Sequence, residues 1–271
     1  MSETGDDEVT FDLADRDSAQ LRAGLPLVRT LAGAYFRARL HHIDRVPDGP
    51  ALIISNHSGA PLAVDAPIFA AEFAHRFGAE RPLYLVTADA TINSPLGPLL
   101  RKWGLIPASP ANVDHALKQG ATVMVFPGGD YDAVRPTSVR NVIDFGGRKG
   151  FIRSALKAGV PIVPVVYIGA HETQLYLTRG EKLAKALRFD RIARVKIFPV
   201  QFGFPFGFSL GGVLPLNLPL PSKIVGEVLD PITLEQFGEQ PDIDQVYEHI
   251  SSEMQTVLDR LAKERRFPVI G

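Results

Sequence analysis

Four short apolar runs, each set off by turn residues and separated by helix-like segments, constrain this chain most. They lie at Ala51–Ile54, Leu83–Thr87, Thr122–Phe126 and Val160–Ile168, with a shorter fifth at Gly104–Pro107. None holds a charged residue, and each is too short for a typical buried helix. Strands of a parallel sheet, covered on both faces, read as such near-continuous apolar runs. The alternation therefore predicts an α/β fold, with a largely parallel central sheet flanked by helices. In open sheets of this kind, functional groups collect at the carboxyl ends of the strands. A chain of 271 residues can bury a sizeable core as one domain.

The pattern divides the chain into a loose acidic tail expected to be disordered, 1–17, and a folded domain, 18–271. The domain opens with a helical element over 18–42, where Leu21, Leu25, Val28, Leu31 and Tyr35 recur at steps of three and four. Pro26 is expected to divide it into two short helices. Its apolar stripe, flanked by Arg22, Arg29, Arg37 and Arg39, reads either as a packing face or as an interfacial surface on anionic lipid. Helices are expected at Asp65–Phe77, with Asp65 as N-cap, and at Ser94–Trp103, Asn112–Gln119 and Arg148–Lys157. Beyond the core at 51–170 come a helix at Glu181–Leu187 and strands at Val195–Phe198 and Lys223–Val228. A packing helix at Ile243–Glu264, in the C-terminal segment 243–266, follows.

Several function classes fall away. A net charge of −1 gives no electropositive footprint for nucleic acid. With no cysteine, there is no thiolate nucleophile, no disulfide and no Cys-based metal site. The seven histidines show no metal-ligand spacing, so no catalytic metal is expected. The first twenty residues lack a secretory pattern. The long uncharged run at 197–222 has too many Pro and Gly residues for an ordinary spanning helix. Within it, Phe202, Phe204, Phe206 and Phe208 alternate with small residues and Pro. That stretch reads as an apolar loop, either buried under the domain or reaching the bilayer or an acyl tunnel.

The first apolar run ends in Ser55-Asn56-His57, and Asp65 follows downstream. A histidine at a strand end with a carboxylate in reach is suited to take a proton from a hydroxyl. Three further blocks lie in order behind it: Gly104-Leu105-Ile106-Pro107, Phe126-Pro127-Gly128-Gly129 and Val160-Pro161-Ile162-Val163-Pro164-Val165. Together with Asn56-His57, they resemble the phospholipid/glycerol acyltransferase family, the 1-acylglycerol-3-phosphate acyltransferase-like enzymes. The Phe-Pro-Gly-Gly form resembles the diacylglycerol-acyltransferase-like branch. The resemblance implies transfer of a fatty acyl group from a thioester to a lipid hydroxyl, with His57 as general base and Asp65 orienting it. It also implies an acyl-CoA or acyl-carrier thioester as co-substrate and no further cofactor. The acceptor alcohol is itself the nucleophile, which fits a chain without Cys and without a G-x-S-x-G elbow.

Three departures from the family pattern stand out. The family usually places four residues between the His and the acidic residue, whereas seven separate His57 from Asp65. Where Glu-Gly-Thr-Arg commonly follows Phe-Pro, this chain has Gly128, Gly129, Asp130 and Tyr131. The arginine often found in the second block is also absent. Loss of two phosphate-binding positions points to an acceptor without a phosphomonoester, such as a neutral glycerolipid. Lysophosphatidate is the alternative acceptor, with Arg135, Arg140, Arg148 and Arg153 near enough in sequence to replace the lost charge.

The resemblance assigns substrate contacts to Asn56, Pro127, Gly128, Gly129, Asp130, Arg148, Lys149 and Pro161. Arg148-Lys149-Gly150, at a helix start, could hold the phosphates of coenzyme A or could simply be solvated. Gly128 and Gly129 could donate to an oxyanion, form a tight turn, or do both. The expected partners are a lipid acceptor, a long-chain acyl thioester and a membrane surface met through 18–40 and 201–222. The protein is expected to lie peripherally on the cytoplasmic side of the cell membrane. A non-catalytic lipid carrier and a thioesterase are the remaining readings.

Overall fold

The computed structural model describes residues 8–57, 63–180, 185–186, 199–210 and 217–267. Ten strands are described: β1 (Arg39–His41), β2 (Leu52–Ser55), β3 (Leu83–Thr87), β4 (Leu105–Pro107), β5 (Thr122–Val125), β6 (Ile162–Ile168), β7 (Leu175–Thr178), β8 (Val200–Gly203), β9 (Gly207–Leu210) and β10 (Val225–Val228). Seven of them form one sheet in the order β1-β10-β6-β2-β5-β3-β4. The strands from β6 to β4 are parallel; β10 runs antiparallel to β6, and β1 runs parallel to β10. The expected α/β architecture is the observed one.

Alternation along the strands explains its layers, because successive side chains point to opposite faces. Leu52 and Ile54 of β2 join Val123, Val125, Ile162 and Val166 on one face. That face is covered by α5 (Pro110–Lys118), α7 (Gly150–Ala158) and α8 (Ile243–Glu264). Ile53, Met124, Val163 and Val165 face the other way, under α1 (Ser18–Tyr35) and α2 (Asp65–Phe77). Every residue of β2 and β6 is buried, which is why the two runs are apolar on both faces. Each fully buried Leu or Ile contributes about 1.5–3 kcal/mol.

Some local structure departs from the sequence reading. The tail expected to be disordered is packed on the domain where it is described: Phe11 and Leu13 lie against the core, and Arg16 donates to the Ala79 carbonyl at 2.6 Å. Helix α1 continues through Pro26 rather than dividing there. A proline inside a helix costs about 3 kcal/mol, but Leu21, Leu25 and Ala32 bury on either side of it while Pro26 itself stays exposed. Ser94–Trp103 is not one helix: α3 (Asp89–Ile92) and α4 (Gly97–Lys102) flank a turn at 93–96. The Phe-rich stretch is not a loop where it is described. β8 and β9 pair as a hairpin, and β7 joins them in a second, antiparallel sheet. The alternation of Phe202 and Phe208 with small residues is thus a strand pattern. The expected strand at Val195–Phe198, most of the Glu181–Leu187 helix and residues 211–216 lie outside the described residues.

Candidate active site

Parallel pairing brings the ends of β2, β5 and β6 to one edge of the sheet. The register sets Ile54 against Val125 and Ser55 against Val165. One step further, the Asn56 side chain substitutes for a strand residue. Its Nδ2 donates to the Tyr167 carbonyl at 2.9 Å, and its Oδ1 accepts the Tyr167 N–H at 2.8 Å. Asn56 is buried and both its polar groups face the backbone of β6, so it fixes where the chain leaves the sheet. His57 is the next residue. Its ring lies on Phe126, the residue after β5, with the ring centroids 4.1 Å apart.

His57 Nδ1 stands 3.2 Å from Asp65 Oδ2 across the interval that the sequence made unusual. Asp65 is fully buried at the first turn of α2. It is not the N-cap; Val64 occupies that place, and Asp65 Oδ1 accepts the N–H of Ala66 at 2.9 Å. The helix therefore carries the carboxylate to the imidazole, and the partial positive charge at its N-terminus favours the anion. With the proton on Nδ1 facing Asp65, the lone pair lies on Nε2. Burial disfavours the imidazolium, but the charge and hydrogen bond of Asp65 and the charge of Asp132 outweigh it, holding the His57 pKa above its ordinary value.

Asp132, which the sequence reading did not single out, completes this edge. It lies on α6 (Gly129–Ala133), the short helix after Phe126-Pro127-Gly128. Its Oδ2 accepts the backbone N–H of His57 at 2.7 Å, and its Oδ1 meets Arg135 Nη2 at 2.8 Å. Burial raises its pKa to about 6 against the opposing pull of Arg135 and the His57 N–H. Beyond Arg135, His171 Nε2 stands 2.9 Å from the Arg135 carbonyl. Burial lowers the His171 pKa to about 4, so the ring is neutral and donates to that carbonyl.

The glycines shape the turn. A Cβ on Gly128 would lie 2.3 Å from the Asp132 Cβ, so only glycine lets α6 fold back so tightly. Gly129 has a positive φ of 49° and donates its N–H to the Phe126 carbonyl at 2.9 Å. That amide is engaged within the turn.

Other residues named from the sequence have definite partners. Arg148 donates to the Gly128 carbonyl at 2.6 Å and pairs with Asp130 at 2.9 Å, bracing the turn. Lys149 pairs with Asp244 at the start of α8, 2.6 Å away. The arginine and the lysine are thus held by carboxylates at the positions where a phosphate role was expected. Arg140 pairs with buried Glu172 at 3.2 Å. Pro127 stands in the turn beside Phe126. Pro161 precedes β6 at its amino end, where its carbonyl accepts the Leu52 N–H. Six strand residues at about 3.3 Å each put it roughly 20 Å from Tyr167 and the His57 edge. It starts a strand there and does not join the site.

The comparisons with known proteins bear on this arrangement. The acyltransferase family matches residues 37–168. An uncharacterized protein of Mycobacterium tuberculosis is 32% identical over 225 residues, covering 81% of this chain and 58% of that protein. Human diacylglycerol O-acyltransferase 2 is 27% identical over 192 residues, covering 65% of this chain and 46% of the enzyme. The chain thus spans about half the length of these relatives. The crystal structure of the 1-acyl-sn-glycerophosphate (LPA) acyltransferase PlsC from Thermotoga maritima superposes with a TM-score of 0.52. It covers 93% of this chain and 84% of PlsC at 16% identity, a likeness of fold.

Proposed function

The chain belongs to the acyltransferase family, and on that premise we propose that it transfers a fatty acyl group from a thioester to the hydroxyl of a neutral glycerolipid. The observation that carries this reading is the His57–Asp65 contact at the edge where Phe126-Pro127-Gly128-Gly129 turns out of the sheet. His57 Nε2 takes the proton of the acceptor hydroxyl as its oxygen attacks the thioester carbonyl. The tetrahedral intermediate collapses, the C–S bond breaks, and the imidazolium returns the proton to the leaving thiolate. Asp65 keeps the ring in the right tautomer and offsets its positive charge. The donor is acyl-CoA or an acyl-carrier thioester, with no additional cofactor.

The acceptor assignment draws on charge. The turn offers Gly128, Gly129, Asp130 and Tyr131 where an acyltransferase of phosphorylated acceptors would carry Glu and Arg. The nearby Arg135 and Arg148 are engaged by Asp132 and Asp130.

The same reading places the enzyme peripherally on the cytoplasmic face of a membrane, meeting it through 18–40 and 201–222. Among the described residues no helix is long and apolar enough to cross a membrane. Support comes from exposed apolar side chains on both segments: Leu27, Leu31 and Tyr35 on α1, and Phe204, Phe206 and Phe208 on the hairpin, the last 70% exposed. Tyr35 donates to the Pro219 carbonyl at 2.7 Å, and the neighbouring Leu218 bonds to Phe204 at 2.8 Å. These two contacts bring the apolar segments to one side of the molecule.

An acceptor screen with labelled long-chain acyl-CoA tests the assignment. Diacylglycerol or monoacylglycerol should be acylated, and the His57→Ala protein should not transfer. Much faster acylation of lysophosphatidate than of any neutral alcohol would overturn the acceptor assignment. Thioester turnover indifferent to added alcohol would overturn the transfer itself.

A further inference from the structure

A second carboxylate faces His57 from the side opposite in function to Asp65: it grips the backbone rather than the ring. Asp132 is 3% exposed and divides its two oxygens between the His57 N–H, at 2.7 Å, and Arg135, at 2.8 Å. Arg135, 2% exposed, is itself anchored to the carbonyls of Val142 and of Asp144, the latter at 2.9 Å. A rigid strut thus runs from His57 through Asp132 to the segment 142–144. Gly128 makes room for it, since any Cβ there would strike Asp132. Burying an ion pair usually stabilises a fold no better than apolar residues of the same volume. Stability alone therefore gives little reason for a carboxylate here.

We propose that Asp132 is a positioning residue for the transfer reaction, holding His57 by its backbone over Phe126 and setting a second fixed negative charge beside the imidazolium as it forms. The proposal rests on His57 being the base. Fixing the backbone of a base removes conformers that aim Nε2 away from the hydroxyl. A preoriented charge in a buried site stabilises the imidazolium without reorganisation. The ionisable groups facing this pair are Asp65 from α2, Asp132 and Arg135 from the α6 turn, and His171 from the segment after β6. His171 stays neutral across the working range, so the negative charge felt by His57 comes from Asp65 and Asp132, the latter partly offset by Arg135.

The test is the pH profile of kcat/KM for the wild-type enzyme, Asp132→Asn and Asp132→Glu. Asparagine keeps one acceptor and the side-chain size but removes the charge. The acidic limb, which reports His57 losing its proton, should move to lower pH by about 0.5–1 unit. The plateau should fall at least about tenfold, and glutamate should return the limb toward its wild-type position. A lowered plateau with an unmoved limb would make Asp132 a packing residue and overturn the proposal. An unchanged plateau would do so as well. Should neither variant fold, the wild-type protein decides by nuclear magnetic resonance: the His57 amide proton should shift as its acceptor ionises near pH 6. A His57 amide that stays flat from about pH 4 to pH 8 would refute the contact. Full activity in His57→Ala would instead remove the base assignment, whatever Asp132 does.

Discussion

Replacing Asp65 by Asn separates an orienting carboxylate from one that merely fills space. Asp65 has no solvent exposure, and its Oδ2 lies 3.2 Å from His57 Nδ1. Its Oδ1 already accepts the Ala66 N–H, so an asparagine keeping that bond turns its NH2 toward the ring. Nδ1 would then have to accept, the proton would move to Nε2, and the nitrogen meant to act as base would be blocked. In a Ser-His-Asp triad, this tautomer error costs about 10⁴ in kcat, or about 5.5 kcal/mol of barrier. The same order is expected here, because the geometry that creates the error is the same. The substitution also removes the largest influence raising the His57 pKa, while burial, which lowers it, remains. The acidic limb of kcat/KM should therefore move to lower pH even as the plateau falls. Steady-state transfer of a labelled acyl group across pH 5–9 reads both effects. Activity within about threefold of wild type, with the limb in place, would refute the orienting role.

Other consequences follow from the same geometry. Phe204→Ser with Phe206→Ser should weaken sedimentation with phospholipid vesicles at least about tenfold, since each buried phenyl is worth about 1.5–3 kcal/mol. The two side chains are 68% and 55% exposed, so the thermal midpoint should stay near wild type; unchanged vesicle binding would count against membrane contact there. Gly128→Ala sets a Cβ 2.3 Å from the Asp132 Cβ. Overpacking of this kind costs about 1–3 kcal/mol, so both thermal stability and kcat should drop, and a protein unchanged in both would contradict the turn as described. The pH dependence of stability carries a further sign. Asp132 has a folded pKa of about 6, above its ordinary value near 3.8, so the native state binds more protons than the unfolded chain between those limits. Its contribution is fully present below pH 3.8 and is lost as pH rises through 6. Wild type should therefore lose ground to Asp132→Asn across that window, by about 3 kcal/mol as an upper bound. Urea melts at pH 4 and pH 7 measure the difference, and a gap that widens the other way would refute the buried, raised carboxylate.

How much of this was legible in the sequence depended on the range of the interaction. The parallel core was readable because β2, β5 and β6 are buried on both faces and so carry no charged residue that would break the apolar run. His57 was readable because it stands two residues beyond the end of such a strand. The Asp65 contact was not, because it spans a turn whose length departs from the family, and spacing alone does not say how a loop closes. Asp132 was less visible still, since it lies 75 residues from His57 and meets it only through the β2–β5 pairing. A signal was present nonetheless: Asp132 stands four residues beyond Gly128, one helical turn away, on a segment leaving the strand next to β2. The Phe hairpin was misread as a loop because Pro205, in its tip, and Gly207, the first residue of β9, resembled breakers of any structure. Asn56, Arg148 and Lys149 illustrate the opposite limit. The family resemblance implied ligand contacts for them, and three-dimensional pairing gives each a partner within the protein as well.

The most direct measurement of the central claim is the rate of acyl transfer by purified His57→Ala, on a protein whose circular dichroism and melting match wild type. The imidazole is 17% exposed at the sheet edge, so its loss should leave the core intact. General base catalysis supplies about 10²–10⁴-fold, and transfer to a glycerolipid alcohol should fall by at least that factor. Transfer by His57→Ala at the wild-type rate would contradict the account, because no base would then be needed at the edge to which the fold brings this histidine.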